Sequence, residues 1–306
     1  MPKNLLSRIV AVNFSAPTCP DVQDGFSMSK VAIVKGANPQ EITIEALEMT
    51  AAHEALPEGK AVLIKPNYIN ASHPSTGITT DSRVIEGVVE FLKRHQAKDI
   101  IIGEGSGLAD TFKAFEVASV KALAEKWNVK LMDLNKDEFV LVKPANPLAL
   151  KEVKIAKTAL ESIIISVPKL KPHRSARVTL SLKNMIGAVT PKGSIHNHLS
   201  EKIVDLASII KPSIAVVDGI TAGEGHETSG NPVEMDLVIA GTDPVAVDTV
   251  GAAVMGIPPE GIKHLRLAEE RGLGTCDLKQ IEVLGEPIDR VKKNFRTSFA
   301  SSFFSA

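Results

Sequence analysis

Short apolar runs that stop at glycine, proline or asparagine alternate along this chain with stretches whose apolar residues recur at helical spacing. Runs of the first kind form buried strands and stretches of the second kind form amphipathic helices. VAIVKG (31–36) predicts a strand and 42–56 a helix. The next unit is the clearest. AVLIKPN (61–67) is a strand ended by Pro66, and Asp81 or Ser82 caps a helix whose apolar face is Val84, Val88, Phe91 and Leu92. DIIIGEGSG (99–107) is a second strand running into glycines. Strand, helix and strand at this length make a βαβ unit, hence parallel pairing with a right-handed crossover.

A helix over 111–127 and a strand over 129–134 follow, and 138–157 predicts two short strands around the turn PANP. The second half opens with a strand at 163–167. It continues with a helix at 201–210, the buried strand SIAVVDG (213–219), a short strand at 237–240, helices at 243–255 and 261–271, and the strand IEVLG (281–285). Near the start, 10–13 reads as a short strand; the tail RTSFASSFFSA is apolar and serine-rich, suited to docking on the body or on a neighbouring subunit, or to disorder. The expected fold is α/β, a mostly parallel sheet with flanking helices. It is read as a single unit over 1–306, with two lobes (1–150 and 151–306) sharing a cleft as the alternative, although no Gly/Ser-rich linker marks a boundary.

The composition narrows the function classes. A hydrophobic content of 44% over 306 residues is that of a globular protein with a sizeable core. A formal net charge of −1 and 4% aromatic residues argue against a general nucleic-acid binder, while permitting a local basic pocket. Two cysteines, Cys19 and Cys276, rule out a four-cysteine iron–sulfur cluster or zinc site within one chain, and a disulfide framework is not expected. No run of signal-peptide character opens the sequence and none is long enough to span a bilayer, so a cytoplasmic, non-membrane location is expected.

In open parallel sheets, ligands sit in the crevice beyond the carboxyl ends of the strands. Four polar clusters fall at such positions: Lys65 and Asn67; Glu104, Gly105 and Ser106; Lys171 and His173; and Asp218 with the loop GITAGEGHE. The cationic stretch from Lys169 to Lys183, with Arg174 and Arg177, directly follows a buried strand. That context favours an anion site over a solvated face, with arginine offering bidentate contacts and lysine a point charge. The bland alternatives are an edge lysine at Lys65 and a helix cap at Glu104. GEGSG lacks the full pattern of a phosphate loop.

His53, His95 and His264 lie on helical stretches among polar neighbours and are expected at the surface. His173, His196, His198 and His226 lie in loops near the strand ends. His196, His198, Asp218 and His226 are the candidate ligands for a divalent metal, with imidazole and carboxylate donors. TDPVAVD reads as a helix N-cap at Thr242 or Asp243 followed by proline, which argues against Asp243 as a ligand, and Asp248 lies within that helix.

IKPN, the strand–helix–GEG unit, PKLKPH, SLKN, VVDGI and GTDPVAVD, in this order, resemble the domain-of-unknown-function 362 family over roughly residues 30 to 285. Members of that family often carry a ferredoxin-like iron–sulfur module. This chain lacks the cysteines for one, so the resemblance implies at most a separate ferredoxin-type partner. A more distant resemblance is to the nickel-dependent lactate racemases, in which a histidine is followed ten residues later by a lysine that tethers a nickel–pincer nucleotide. His173 and Lys183 have that spacing, but SLKN and GEGSG stand where the racemases have other patterns.

The reading that follows is an enzyme, of the isomerase, racemase or redox type, acting on a small anionic molecule, with a divalent metal as an open option. Lys65, Asn67, Ser106, Lys171, Arg177 and Asn184 would bind the substrate. His173 or Lys183 would move a proton, and Glu104 or Asp218 would orient the base or hold the metal. The alternative is a non-catalytic binding protein for a phosphorylated metabolite or cofactor. Homo-oligomerisation is compatible with either.

Overall fold

The computed structural model describes residues 28–298. The expected strand at 10–13, Cys19 and the end of the tail lie outside the described residues. The frame is an eight-stranded sheet built from β1 (Ser29–Lys35), β2 (Val62–Pro66), β3 (Ile100–Glu104), β4 (Lys130–Asp133), β5 (Ile163–Val167), β6 (Ile214–Glu224), β7 (Asn231–Gly241) and β8 (Ile281–Gly285). Across the sheet the order is β8-β1-β7-β6-β5-β2-β3-β4. Only β7 runs against the others, being antiparallel to both β1 and β6. The fold is therefore α/β, with a mixed, mostly parallel sheet. Strands from both halves of the chain share it, with β1 inserted between β8 and β7 of the second half.

Side chains along each strand alternate between two cores. Val31, Ile33, Leu63 and Ile164 enter one, and Ala32, Val34, Ile64 and Ile165 enter the other. Burial on both faces is why these strands read as continuous apolar runs. The helices α1 (Pro39–Met49) and α2 (Ser82–Arg94) cover one face. The opposite face receives α6 (Leu199–Ile210), α7 (Pro244–Val254) and α8 (Lys263–Glu270). Between them in sequence lie α3 (Thr111–Val117), α4 (Val120–Trp127) and the four-residue α5 (Ser181–Asn184).

Several boundaries differ from the sequence pattern for identifiable reasons. The helix expected over 42–56 ends at Met49, because Thr50 turns its hydroxyl back to the Ala46 and Leu47 carbonyls and Ala51 takes a left-handed conformation. The helix expected over 111–127 is two helices, broken at left-handed Ser119. The strands expected at 213–219 and 237–240 are the bases of a long hairpin, β6–β7, with an irregularity between Gly219 and Thr221. The hairpin at 138–157 is formed by Phe139–Val142 and Val153–Ala156.

Strand order places the cleft. From β2 the chain steps outward to β3 and β4, then returns to lay β5 on the other side of β2. Loops leaving β2 and β5 thus diverge, and the gap between them is the crevice of a topological switch point.

Candidate functional site

A cleft of about 390 Å³ opens at this switch point, within the range of small-molecule sites. Each wall comes from a strand end. Lys65 lies at the end of β2 and Asn67 and Tyr68 follow it, Glu104 ends β3 and Gly105 follows it, Lys171 and His173 follow β5, and Glu227 and Thr228 lie in the β6–β7 turn. α5 and the turns after it add Lys183, Asn184, Gly187, Lys192 and His196.

At the floor, Lys65 and Glu104 form a buried ion pair, with Nζ 2.8 Å from Oε1. Lys65 also donates to the Asn184 Oδ1 (3.1 Å) and the Pro66 carbonyl (3.0 Å). Glu104 accepts from the Tyr68 and Gly105 amides. Burial lowers the Lys65 pKa, and the Glu104 charge opposes that shift. Asn184 completes the arrangement by donating to the Lys65 carbonyl and the Ser166 hydroxyl. Gly105 and Gly187 meet beside this pair. A Cβ at Gly105 would fall on the Gly187 carbonyl oxygen, and one at Gly187 on Glu104 Oε1 and 2.6 Å from Lys65 Nζ.

Above the floor the lysines are poised differently. Lys171 Nζ donates to the Ile78 and Glu227 carbonyls at 2.7 and 3.0 Å. Burial, with Lys183 and Lys169 adding repulsion, lowers its pKa to about 7. Burial likewise brings Lys183 down to about 8, with Glu227 pulling upward and Lys65 downward. Among the described residues, no hydrogen bond or ion pair holds the Lys183 ammonium. Thr179 Oγ1 and Asn67 Oδ1 also face the cleft, buried and without a hydrogen-bond partner. The arrangement is suited to receiving a ligand that carries negative charge and both accepts and donates hydrogen bonds.

His173 departs from the expectation of an imidazole titrating near neutrality. Its Nδ1 accepts from the Ser175 and Ala176 amides, both at 3.1 Å, which places the ring proton on Nε2. Nε2 lies 3.6 Å from Glu227 Oε1. Burial, followed by the charges of Lys183 and Lys171, lowers its pKa to about 2. His173 is therefore a neutral hydrogen-bond donor.

α5, which carries Lys183, is fixed from behind. Asp248 in α7 accepts the Ser181 and Leu182 amides at 2.7 and 2.9 Å, and burial raises its pKa to about 8. The chain enters α5 through Leu180 at φ 23° and ψ −162°, a strained conformation for a residue with a side chain. Leu180 packs on Gly251, where a Cβ would come within 3.1 Å of its Cδ1. GTDPVAVD thus serves to hold α5. Asp243 is the N-cap of α7, accepting the Val245 and Ala246 amides.

Of the expected site residues, Lys65, Asn67, Glu104, Lys171, His173, Lys183, Asn184 and His196 line the cleft. Lys65 is no edge lysine and Glu104 caps no helix, since Asp110 caps α3. Ser106 and Arg177 stand outside the lining: Ser106 is buried beside Thr111, and Arg177 pairs across a short ladder with His173. The four expected metal ligands do not converge among the described residues. Asp218 is fully buried, with its carboxylate 2.6 Å from Lys169 Nζ and accepting the Asp81 amide. His198 is exposed at the start of α6, and His226 Nδ1 accepts the amide of Thr228. His264, expected at the surface, is buried in α8, with burial lowering its pKa to about 3. Its polar neighbours in sequence lie on the outer side of the helix, so the sequence context misled.

Sequence reasoning missed Tyr68, Thr179, Lys192 and Glu227 as lining residues. Glu227 lies in the GEGHE loop that the crevice rule had marked, and Tyr68, the chain's one tyrosine, follows IKPN directly. Lys192 reaches the cleft only through the folding of the PKGS turn, where it bonds Asn135 Oδ1.

Comparison with known proteins bears on this cleft. A family model described as a domain of unknown function (DUF362) matches residues 62–253, which span β2 to α7 and every residue that lines the cleft. Thylakoid-associated protein sll1697 of Synechocystis sp. is 24% identical over 249 residues, covering 78% of this chain and 76% of that protein. No solved structure matches the chain.

Proposed function

The chain belongs to the family of the domain of unknown function 362, and on that premise we propose that it is an enzyme acting on a small multivalent anion, with Lys183 as the group that moves a proton. The observation that carries this reading is the unpartnered Lys183 ammonium in a cleft where four lysines, Lys65, Lys171, Lys183 and Lys192, face two carboxylates, Glu104 and Glu227. Lys65 is neutralised by Glu104, which leaves Lys171, Lys183 and, at the rim beside Asn135, Lys192 to meet an anion. A lysine titrating near pH 8 supplies both an ammonium to bind and an amine to accept a proton. His173 Nε2–H and Thr179 Oγ1 would orient the ligand, and Glu227 would sit across from the reacting centre. Isomerisation, racemisation and redox chemistry on a carboxylate or phosphate compound all fit such a site. A divalent metal would enter with the substrate, because the imidazole ligands expected from the sequence are dispersed.

The second reading is a binding protein that delivers a phosphorylated metabolite or cofactor, with a ferredoxin-type protein as a partner. It is favoured by one fact: of the three groups expected to do chemistry, His173 is held neutral and Glu104 is locked in the floor pair. The cytoplasmic location expected from the sequence is part of this proposal. No described helix is long and apolar enough to cross a membrane, and thylakoid association is a property of the Synechocystis relative.

The test is thermal stabilisation by sulfate, phosphate and citrate, followed by turnover of carboxylated and phosphorylated metabolites monitored by NMR. Lys183→Met is expected to keep the melting temperature of the free protein while losing anion-induced stabilisation and turnover. Stabilisation by a ligand that is never transformed selects the second reading. Equal binding and turnover in wild type and Lys183→Met would sink the first.

A further inference from the structure

We propose that Glu48, His53 and His95 bind one divalent transition-metal ion of the zinc class, at the edge of the sheet opposite the cleft. The site stands apart from the anion reading. β1 and β2 point toward the cleft edge, and α1 and α2 run back from it, so the carboxyl ends of both helices lie at the amino edge of the sheet. Glu48 is in the last turn of α1, His95 is the C-cap residue of α2, and His53 sits in the short 3-10 turn Ala52–Ala55.

One donor atom from each residue lies within 4.8 Å of the other two. His95 Nε2 is 3.0 Å from Glu48 Oε1. The His53 and His95 rings stack with centroids 4.6 Å apart and planes 4° from parallel. Zinc takes imidazole nitrogen and carboxylate oxygen at about 2.0–2.2 Å, which puts donors about 3.4 Å apart in a tetrahedron. Spacings of up to 4.8 Å need a contraction of about 1.4 Å, and one imidazole must turn out of the parallel stack so that both ring lone pairs aim at one ion, movements that side-chain rotation at this exposed edge supplies.

The backbone segments that carry the donors are fixed before any ion arrives. The His95 amide is bonded to the Phe91 and Lys93 carbonyls, and its ring rests on the buried Phe91 ring at 4.6 Å. The left-handed Ala51 turns the chain so that His53 comes back over the end of α1. The nearby Arg94 guanidinium is engaged by Glu90 at 2.6 Å and does not compete for Glu48. Two imidazoles and one carboxylate suit zinc, nickel or copper(II), whereas magnesium and calcium take oxygen ligands. Three protein ligands leave a coordination position for water, the pattern of an open site.

The test uses the full, tag-free chain titrated with zinc by calorimetry, and with cobalt(II) to read the visible spectrum of the bound ion. One equivalent of zinc is expected. His53→Ala and Glu48→Gln, both at exposed positions, should each weaken zinc affinity by about tenfold or more without lowering the melting temperature. Lys183→Met should leave zinc binding intact, which separates this site from the cleft. Absence of zinc binding, or undiminished affinity in either variant, overturns the proposal.

Discussion

Lys65 and Glu104 illustrate how a residue's worth depends on its partner. Each is nearly inaccessible to water, at 1% and 3% exposure, and each is tolerated because the other neutralises it and backbone groups satisfy the remaining valences. Removing one member of such a pair leaves an uncompensated buried charge, which costs on the order of 3–5 kcal/mol. Lys65→Met should therefore lower stability by about that amount in a urea melt; a loss below about 1 kcal/mol would show that the pair is not desolvated as described. Gly187→Ala tests the same spot sterically. Its Cβ would press on both charged groups, and overpacking of this kind costs about 1–3 kcal/mol. A fully tolerated alanine would mean that the floor pair can shift. Both residues could be noticed in the sequence, Lys65 by its place at the end of a strand and Glu104 by its glycines. Their pairing across 39 positions could not.

Elements matter here for what they hold at a distance. α5 is too short to be stable by itself, since a single helical turn fixes several residues for one hydrogen bond. It exists because Asp248 accepts its first amides and because Leu180 is pinned against Gly251. Asp248→Asn keeps the shape but offers one acceptor oxygen where two are used, with an expected cost of about 1–3 kcal/mol. Because α5 carries Lys183, sulfate affinity should fall as well. Asp243→Ala is the control at the start of the same helix: loss of the N-cap and of the bonds accepted from the Ser29 hydroxyl and the Thr275 amide should cost about 1–3 kcal/mol and leave sulfate affinity unchanged. Equal effects of both variants on affinity would remove the positioning role. The sequence pattern narrowed the N-cap to Thr242 or Asp243 because capping is local, and the structure selects Asp243. The service of Asp248 is tertiary, and nothing in its neighbours announces it.

At the scale of the whole molecule, the cleft concentrates cations within a chain of net charge −1. Lys171 and Lys183 have folded pKa values near 7 and 8, below their ordinary value of 10.5. Above these values the empty cleft holds neutral amines, while a bound anion favours ammonium, so binding takes up protons. Affinity for sulfate, which does not titrate in this range, is expected to be full below about pH 7 and to weaken progressively as pH rises through 7–8, approaching tenfold per unit for each proton taken up. Calorimetry in buffers of different ionisation enthalpy would report the proton uptake directly. A flat affinity between pH 6 and about 9 would contradict it.

The sequence by itself determined what depends on neighbours along the chain. Apolar runs set the strands, helical spacing set α2, the Asp81 and Asp243 caps set where helices begin, and the parallel βαβ logic pointed to the carboxyl edge as the place for chemistry. Only the tertiary structure decided which of the polar groups at that edge share a cleft and in what charge state. Lys169 and Asp218 leave it to neutralise one another, Glu227 and Lys192 enter it, His173 loses its titration to burial, and the loop histidines disperse. The physical reason is the range of the forces. Propensity, capping and periodicity act within a few residues, whereas desolvation and ion pairing are set by groups that strand order brings together from distant parts of the chain.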